Sequence, residues 1–222
     1  MKLFVWDFHG VLEQGTERAV MSVSNAVLEN SGYSERFTIE DCQRMFGLKW
    51  HEYFEFLLPG TNRSIHLELE EASYAYSLAN PGITAKVISP APHSQEVLET
   101  IAQSEHDQIV ISNTLDSGLA WFLGLVDLTR YFPNGNSFAT QNPGNSKSKL
   151  ELLTEYVIQQ KLLGKTYDQI IGVGDSPPDV EFITQSGGRA YQYSHPWVDV
   201  RNGGTKPYKL IQDLREVLVE LN

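Results

Sequence analysis

Short apolar runs that end in polar residues, with helical patterns between them, constrain this chain most. Residues 3 to 6 (Leu-Phe-Val-Trp), 108 to 112 (Gln-Ile-Val-Ile-Ser) and 169 to 173 (Gln-Ile-Ile-Gly-Val) are such runs. Each has the length and near-continuous apolarity of a strand buried on both faces. They end at Asp7, at Ser112-Asn113 and at Asp175. Val97, Leu98, Ile101 and Ala102 have helical spacing before the second run, and Leu152, Leu153, Tyr156 and Val157 before the third. Leu210, Ile211, Leu214, Val217, Leu218 and Leu221 predict a closing amphipathic helix. Strands alternating with helices predict an α/β fold, a doubly wound, Rossmann-like parallel sheet. Ligands of such sheets bind at the carboxyl ends of the strands, so the three polar ends should share one edge.

Residues 15 to 85 break the alternation and read as an all-helical insertion. Val20, Val23 and Val27 fit one helix, and Thr38 with Asp41 reads as a capping box opening another. Trp50, Tyr53, Phe54, Leu57 and Leu58 fit a third, a stripe better suited to core than to a ligand box; Ser64 to Leu78 fit a fourth. Pro59-Gly60 and Pro81-Gly82 act as breakers. The expected organisation is a core of residues 1–14 and 86–222 around a helical domain of residues 15–85.

Composition excludes several function classes. The 222 residues are enough for a core without disulfide or metal staples. No run approaches a membrane helix, and Met1 to Asp7 reaches a carboxylate too soon for a signal peptide. Cys42, the single cysteine, cannot form an internal disulfide and reads as a small buried hydrophobe. These features fit a cytoplasmic protein. A net charge of −11 opposes nucleic acid and anionic membranes as partners, so an anionic ligand needs a local device.

Four motifs in order supply that device. Phe4-Val5-Trp6-Asp7-Phe8-His9-Gly10-Val11-Leu12 resembles the first motif of the haloacid dehalogenase-like hydrolases, an apolar strand followed by Asp-x-Asp-Gly-Thr/Val-Leu. Ile109 to Asn113 resembles the second, and Lys147 or Lys149 before a helix the third. Gly172-Val173-Gly174-Asp175-Ser176-Pro177-Pro178-Asp179 resembles the fourth, Gly-Asp-Ser-x-x-Asp. Phe46-Gly47-Leu48-Lys49 before an apolar helix is similar to the helical cap of the phosphoglycolate phosphatase-like branch.

The resemblance implies a phosphatase in which Asp7 attacks phosphorus and forms an aspartyl-phosphate. It implies Mg²⁺ held by Asp7, Asp175 and the backbone carbonyl of His9, with Asp179 holding the ion through water. Ser112 would bind phosphate oxygens together with backbone N–H groups nearby, Asn113 and Gly10 among the candidates, and a lysine would complete the cradle. Lys149 is preferred to Lys147, because Leu152, Leu153 and Tyr156 fall three, four and seven residues after it. Lys49 and His51 are candidates for a second anionic or hydroxyl group, although both also suit a plain polar helix face. A small phosphorylated metabolite fits a domain roofed by such an insertion, and the chain reads as a monomer or homodimer.

His9 departs from the family pattern, whose phosphatases carry a second aspartate there. The resemblance implies alanine at this position in phosphonate-cleaving members and an aromatic residue in dehalogenases. Three readings follow. His9 is a working acid and base, since imidazole titrates near neutrality. Alternatively catalysis is impaired, leaving a weak phosphate-binding regulatory or interaction protein. In the third, the substrate needs little protonation, as with an acyl phosphate, a phosphonate or another carbon-bonded group. Dehalogenation itself is disfavoured, because Asp175 and Asp179 would repel each other without a cation.

Overall fold

The computed structural model describes residues 1–133, 135–142, 146–195 and 208–221. It divides into two compact units, one of residues 1–14 with 89–222, the other of residues 15–88.

The first unit is built on a six-stranded parallel sheet ordered β5-β4-β1-β6-β7-β8. β1 (Lys2–Trp6) lies between β4 (Asp107–Ser112) and β6 (Gln169–Gly174). The expected strands are thus the three central ones. β1 is apolar from Leu3 to Trp6 because helices cover both faces; these four residues are at most 1% exposed. Side chains alternate across a strand, so Leu3 and Val5 share a face with Ile109 and Ile111. That face packs on Leu153 and Tyr156 of α8 (Lys149–Leu162) and on Val180 and Ile183 of α9 (Pro177–Gln185). α6 (Ser94–Ala102) packs against β4 and buries Val97, Leu98 and Ile101 completely. α7 (Asp116–Leu125) follows β4. A two-stranded antiparallel ribbon, β2 (Glu13–Gln14) with β3 (Ser89–Pro90), pins the turn after β1.

Three sheet strands lie outside the sequence expectations: β5 (Ser137–Ala139), β7 (Arg189–Tyr193) and β8 (Tyr208–Ile211). They are short or carry polar residues, because they lie away from the centre of the sheet. β8 corrects the predicted closing helix. Leu210 and Ile211 pair with Gln192 and Tyr193 of β7, and only Leu214–Leu221 is helical, as a 3-10 helix. Its buried residues are Leu214, Val217 and Glu220, a spacing of three that matches a 3-10 turn better than an α-turn. Buried Glu220 accepts from Arg189 Nη1 at 2.5 Å and from the Tyr191 hydroxyl, which ties this helix to β7.

The second unit holds α1 (Thr16–Asn30), α2 (Ile39–Arg44), α3 (Trp50–Leu57), α4 (Arg63–Ala79) and α5 (Pro81–Ala85). Its core contains Val27, Leu28, Phe37, Cys42, Tyr53, Phe54 and Leu69. Thr38 and Asp41 form the reciprocal cap of α2, with Asp41 N–H donating to Thr38 Oγ1 at 3.1 Å and Thr38 N–H to Asp41 Oδ2 at 3.0 Å. Pro81 does not only break the chain; it opens α5, where its missing N–H costs nothing. Burial pushes the Cys42 thiol up to about 12, helped by the Asp41 and Glu17 charges. Among the described residues, no helix is long and apolar enough to cross a membrane.

Gly172 is a tight point of the central sheet, since a Cβ there would lie 2.1 Å from Ile183 Cγ1 on α9. Gly172→Ala should therefore destabilise the protein by about 1–3 kcal/mol, the usual cost of overpacking. Urea unfolding checks this, and an unchanged midpoint would show that α9 moves away at no cost.

Candidate active site

The parallel register aligns Trp6 with Val110 and Val173, so the next residues of β1, β4 and β6 meet at one edge. Asp7 N–H donates to Val173 carbonyl at 2.8 Å, which extends the ladder by one residue and fixes the Asp7 backbone. Asp7, Ser112, Lys149 and Asp179 are all buried at this edge.

Lys149 lies at the centre. Its Nζ donates to Asp7 Oδ1 and to Asp179 Oδ1, both at 2.7 Å. It is held there because Ser148 caps α8: Glu151 N–H donates to Ser148 Oγ at 3.2 Å, and Ser148 N–H to Glu151 Oε2 at 2.7 Å. Lys149 is then the first helical residue, with the apolar face of α8 turned to the sheet. Lys147 does not join the group. Its Nζ bonds both carboxylate oxygens of Glu155, at 2.7 and 2.6 Å, on the outer side of α8.

Asp179 serves two partners. Oδ1 takes Lys149, while Oδ2 accepts from Ser176 N–H at 3.2 Å and from the Ser176 hydroxyl, closing the first turn of α9. Gly174 makes room for it; a Cβ there would lie 2.1 Å from Asp179 Cβ. Asp7, Asp175 and Asp179 each offer an oxygen, and these lie within 4.8 Å of one another. Asp175 also has a neighbour that the sequence reading missed. His195, two residues beyond β7, places Nε2 3.4 Å from Asp175 Oδ2. No motif marks His195; only its place after a strand ending at the same edge could have drawn attention to it.

The Ser112 hydroxyl is buried and has no hydrogen-bond partner among the described residues. A buried hydroxyl without a partner is costly, which suits a group meant for a ligand oxygen. Exposed Asn113 lies beside it, and its Oδ1 accepts from Thr140 Oγ1 at 3.0 Å. Gly10, at φ 77°, turns the chain, and its N–H donates to Glu13 Oε1 at 3.2 Å. His9 Nδ1 lies 3.1 Å from the same Glu13 oxygen, and its ring meets Phe8 and Phe122 edge-on at 5.1 and 4.8 Å.

Two candidates belong to the helical unit. Lys49 is exposed, and its backbone N–H donates to Glu52 Oε2 at 2.6 Å at the start of α3. His51 is not on a polar face. It is buried with Nδ1 3.1 Å from Glu70 Oε2, which makes it part of the α3–α4 packing.

The charges are out of balance in a way that suits a cation. Burial pushes the Asp7 carboxyl up to about 7; Lys149 opposes this, and the Asp179 and Asp175 charges add to it. Burial also raises Asp175, against the bond and charge of His195 and with the charge of Asp179. Burial pulls the Lys149 ammonium down, but Asp179 and Asp7 together outweigh it and hold it above its ordinary range. Three clustered oxygen donors of this hardness fit Mg²⁺, with Asp7, Asp175 and Asp179 as the residues that would hold it. A raised carboxyl pKa stabilises the fold at low pH and loses that contribution as pH rises through the folded value. In chelator, the Asp7 contribution should therefore fall between about pH 4 and pH 7. Asp7→Asn should remove this part of the slope and raise the melting temperature above pH 7. Melting curves across pH check it, and an equal slope in the variant would contradict the electrostatic account.

Comparison with known proteins agrees with this geometry. The model of the family described as haloacid dehalogenase-like hydrolase matches residues 4–190. Among solved structures, a haloacid dehalogenase-like family hydrolase from Streptococcus pneumoniae is 11% identical with a TM-score of 0.80, over 99% of this chain and 98% of that one. A predicted phosphoglycolate phosphatase from Haemophilus somnus is 14% identical with a TM-score of 0.79, over 99% and 97%. Protein tyrosine kinase A from Mycobacterium tuberculosis is 18% identical with a TM-score of 0.77, over 99% and 97%. At these identities the structural matches establish the fold alone. No curated protein matches significantly. With Asp7, Ser112, Lys149, Asp175 and Asp179 at one sheet edge and the family model spanning most of its length, the chain belongs to the haloacid dehalogenase-like hydrolases.

Proposed function

We propose that this protein is a phosphatase, a Mg²⁺-dependent hydrolase of small phosphorylated metabolites that acts through an aspartyl-phosphate. The observation that carries the reading is the buried bond of Lys149 Nζ to Asp7 Oδ1 and Asp179 Oδ1, beside Asp175 and the Ser112 hydroxyl.

The other Asp7 oxygen attacks phosphorus, the bond to the ester oxygen breaks, and the leaving alkoxide takes a proton from His9 to become the alcohol. Water then attacks the phosphorus of the aspartyl-phosphate and gives its proton to His9. Phosphate leaves and the Asp7 carboxylate returns. Mg²⁺ supplies charge neutralisation at the phosphoryl group when bound. Lys149 orients Asp7 and offsets charge on phosphate oxygens, while the Ser112 hydroxyl donates to one of them. The net charge of −11 argues against polyanionic partners such as nucleic acid and for a small substrate drawn in by a local site.

A panel of small phosphorylated metabolites tests this, with phosphate release measured with and without Mg²⁺. Turnover should need the metal and vanish in Asp7→Asn. Release that survives Asp7→Asn would remove Asp7 as nucleophile, and no release from any compound by protein that binds Mg²⁺ would refute the phosphatase reading. His9→Ala should lower kcat by about 10²–10⁴-fold, the range of general acid–base catalysis. Unchanged kcat for a substrate with a poor leaving group would exclude His9 from proton transfer.

A further inference from the structure

We propose that Glu13 is the positioning residue for His9, and that the two together replace the second carboxylate of the first motif. The inference rests on the phosphatase reading for its chemistry, but on separate geometry for its placement. Glu13 is fully buried, a costly position for a carboxyl group without polar partners. Its Oε1 receives the Gly10 N–H at 3.2 Å and lies 3.1 Å from His9 Nδ1.

The backbone brings Glu13 under His9 deliberately tightly. Phe8 carbonyl accepts from the N–H groups of Leu12 at 3.0 Å and Glu13 at 3.4 Å, and the turn passes through Gly10 at φ 77°. Beyond it, Glu13 pairs with Pro90 in the β2–β3 ribbon, and Leu12 carbonyl accepts from Ala91 N–H at 2.9 Å. The His9 ring is also confined between Phe8 and Phe122, nearly perpendicular to both at 80° and 88°.

A carboxylate oxygen only accepts, and here it already accepts from Gly10, so the His9 contact places the ring proton on Nδ1. Which nitrogen of a histidine works is set by the bond the other makes. Proton exchange with the leaving alkoxide and with water then runs through Nε2. An aspartate at position 9 would instead face the Glu13 carboxylate, and like charges in a buried site repel. His9 and the buried Glu13 are therefore matched to each other.

The test is ¹⁵N NMR of histidine-labelled protein well above the ordinary imidazole range, with His9 assigned by His9→Asn, alongside kinetics of Glu13→Leu and Glu13→Gln. The wild type should carry its neutral His9 proton on Nδ1. Glu13→Leu, which removes the acceptor, should shift the proton toward Nε2 and lower kcat by about 10–100-fold with KM little changed. Glu13→Gln, which keeps a carbonyl acceptor, should restore part of both. A wild-type His9 protonated on Nε2 overturns the proposal, even if Glu13→Leu does not fold. Ring signals unchanged in folded Glu13→Leu overturn it as well. The Nδ1 signature in protein that hydrolyses no phosphorylated compound would keep the positioning role and refute the phosphatase reading alone.

Discussion

The Lys149 ammonium between Asp7 and Asp179 is the interaction on which the rest of the site depends. Three carboxylates at one buried edge repel each other, and burial penalises each charge further. One buried lysine with two 2.7 Å bonds offsets only part of this. The strain shows in Asp7 and Asp175, both raised above their ordinary carboxylate values. A site with a surplus of buried negative charge is unfavourable for stability alone. A hard cation held by the three carboxylates would offset that surplus.

The fold supplies the rigidity that such a cluster needs. Asp7 is continuous with the central strand, Lys149 sits in the capped first turn of α8, and Asp179 closes the first turn of α9. None of the three hangs on a long loop. Gly174 is the small-residue condition for this closeness, because the α9 start could not approach β6 over a side chain. Helix caps and this polar edge are here one device: the hydrogen bonds that satisfy helix starts also orient the carboxylate and the lysine.

The central part of the fold was legible because a strand buried on both faces must be apolar along its length, as Leu3–Trp6, Ile109–Ile111 and Ile170–Val173 are. β5 and β8 are edge strands and escape this rule, β7 interrupts its buried run with polar Gln192, and the Leu210–Ile211 pair imitated the start of a helix, so none of the three was visible. Lys149 was separable from Lys147 by the phase of the following helix, a signal with a direct geometric cause. His195 and Glu13 were not legible, since each gains meaning only from a partner across a turn or a sheet: Asp175 for one, His9 for the other. The partners of Gly10 and His51, Glu13 and Glu70, were hidden for the same reason.

Family membership and a charge-strained edge both bear on the proposed phosphoryl transfer to Asp7. Its most direct measurement is mass spectrometry of protein quenched in acid during turnover of an activated phosphate ester with Mg²⁺. One phosphoryl group is expected on the peptide that contains Asp7, absent in Asp7→Asn. Turnover with no adduct at any time, or an adduct on another residue, would contradict it.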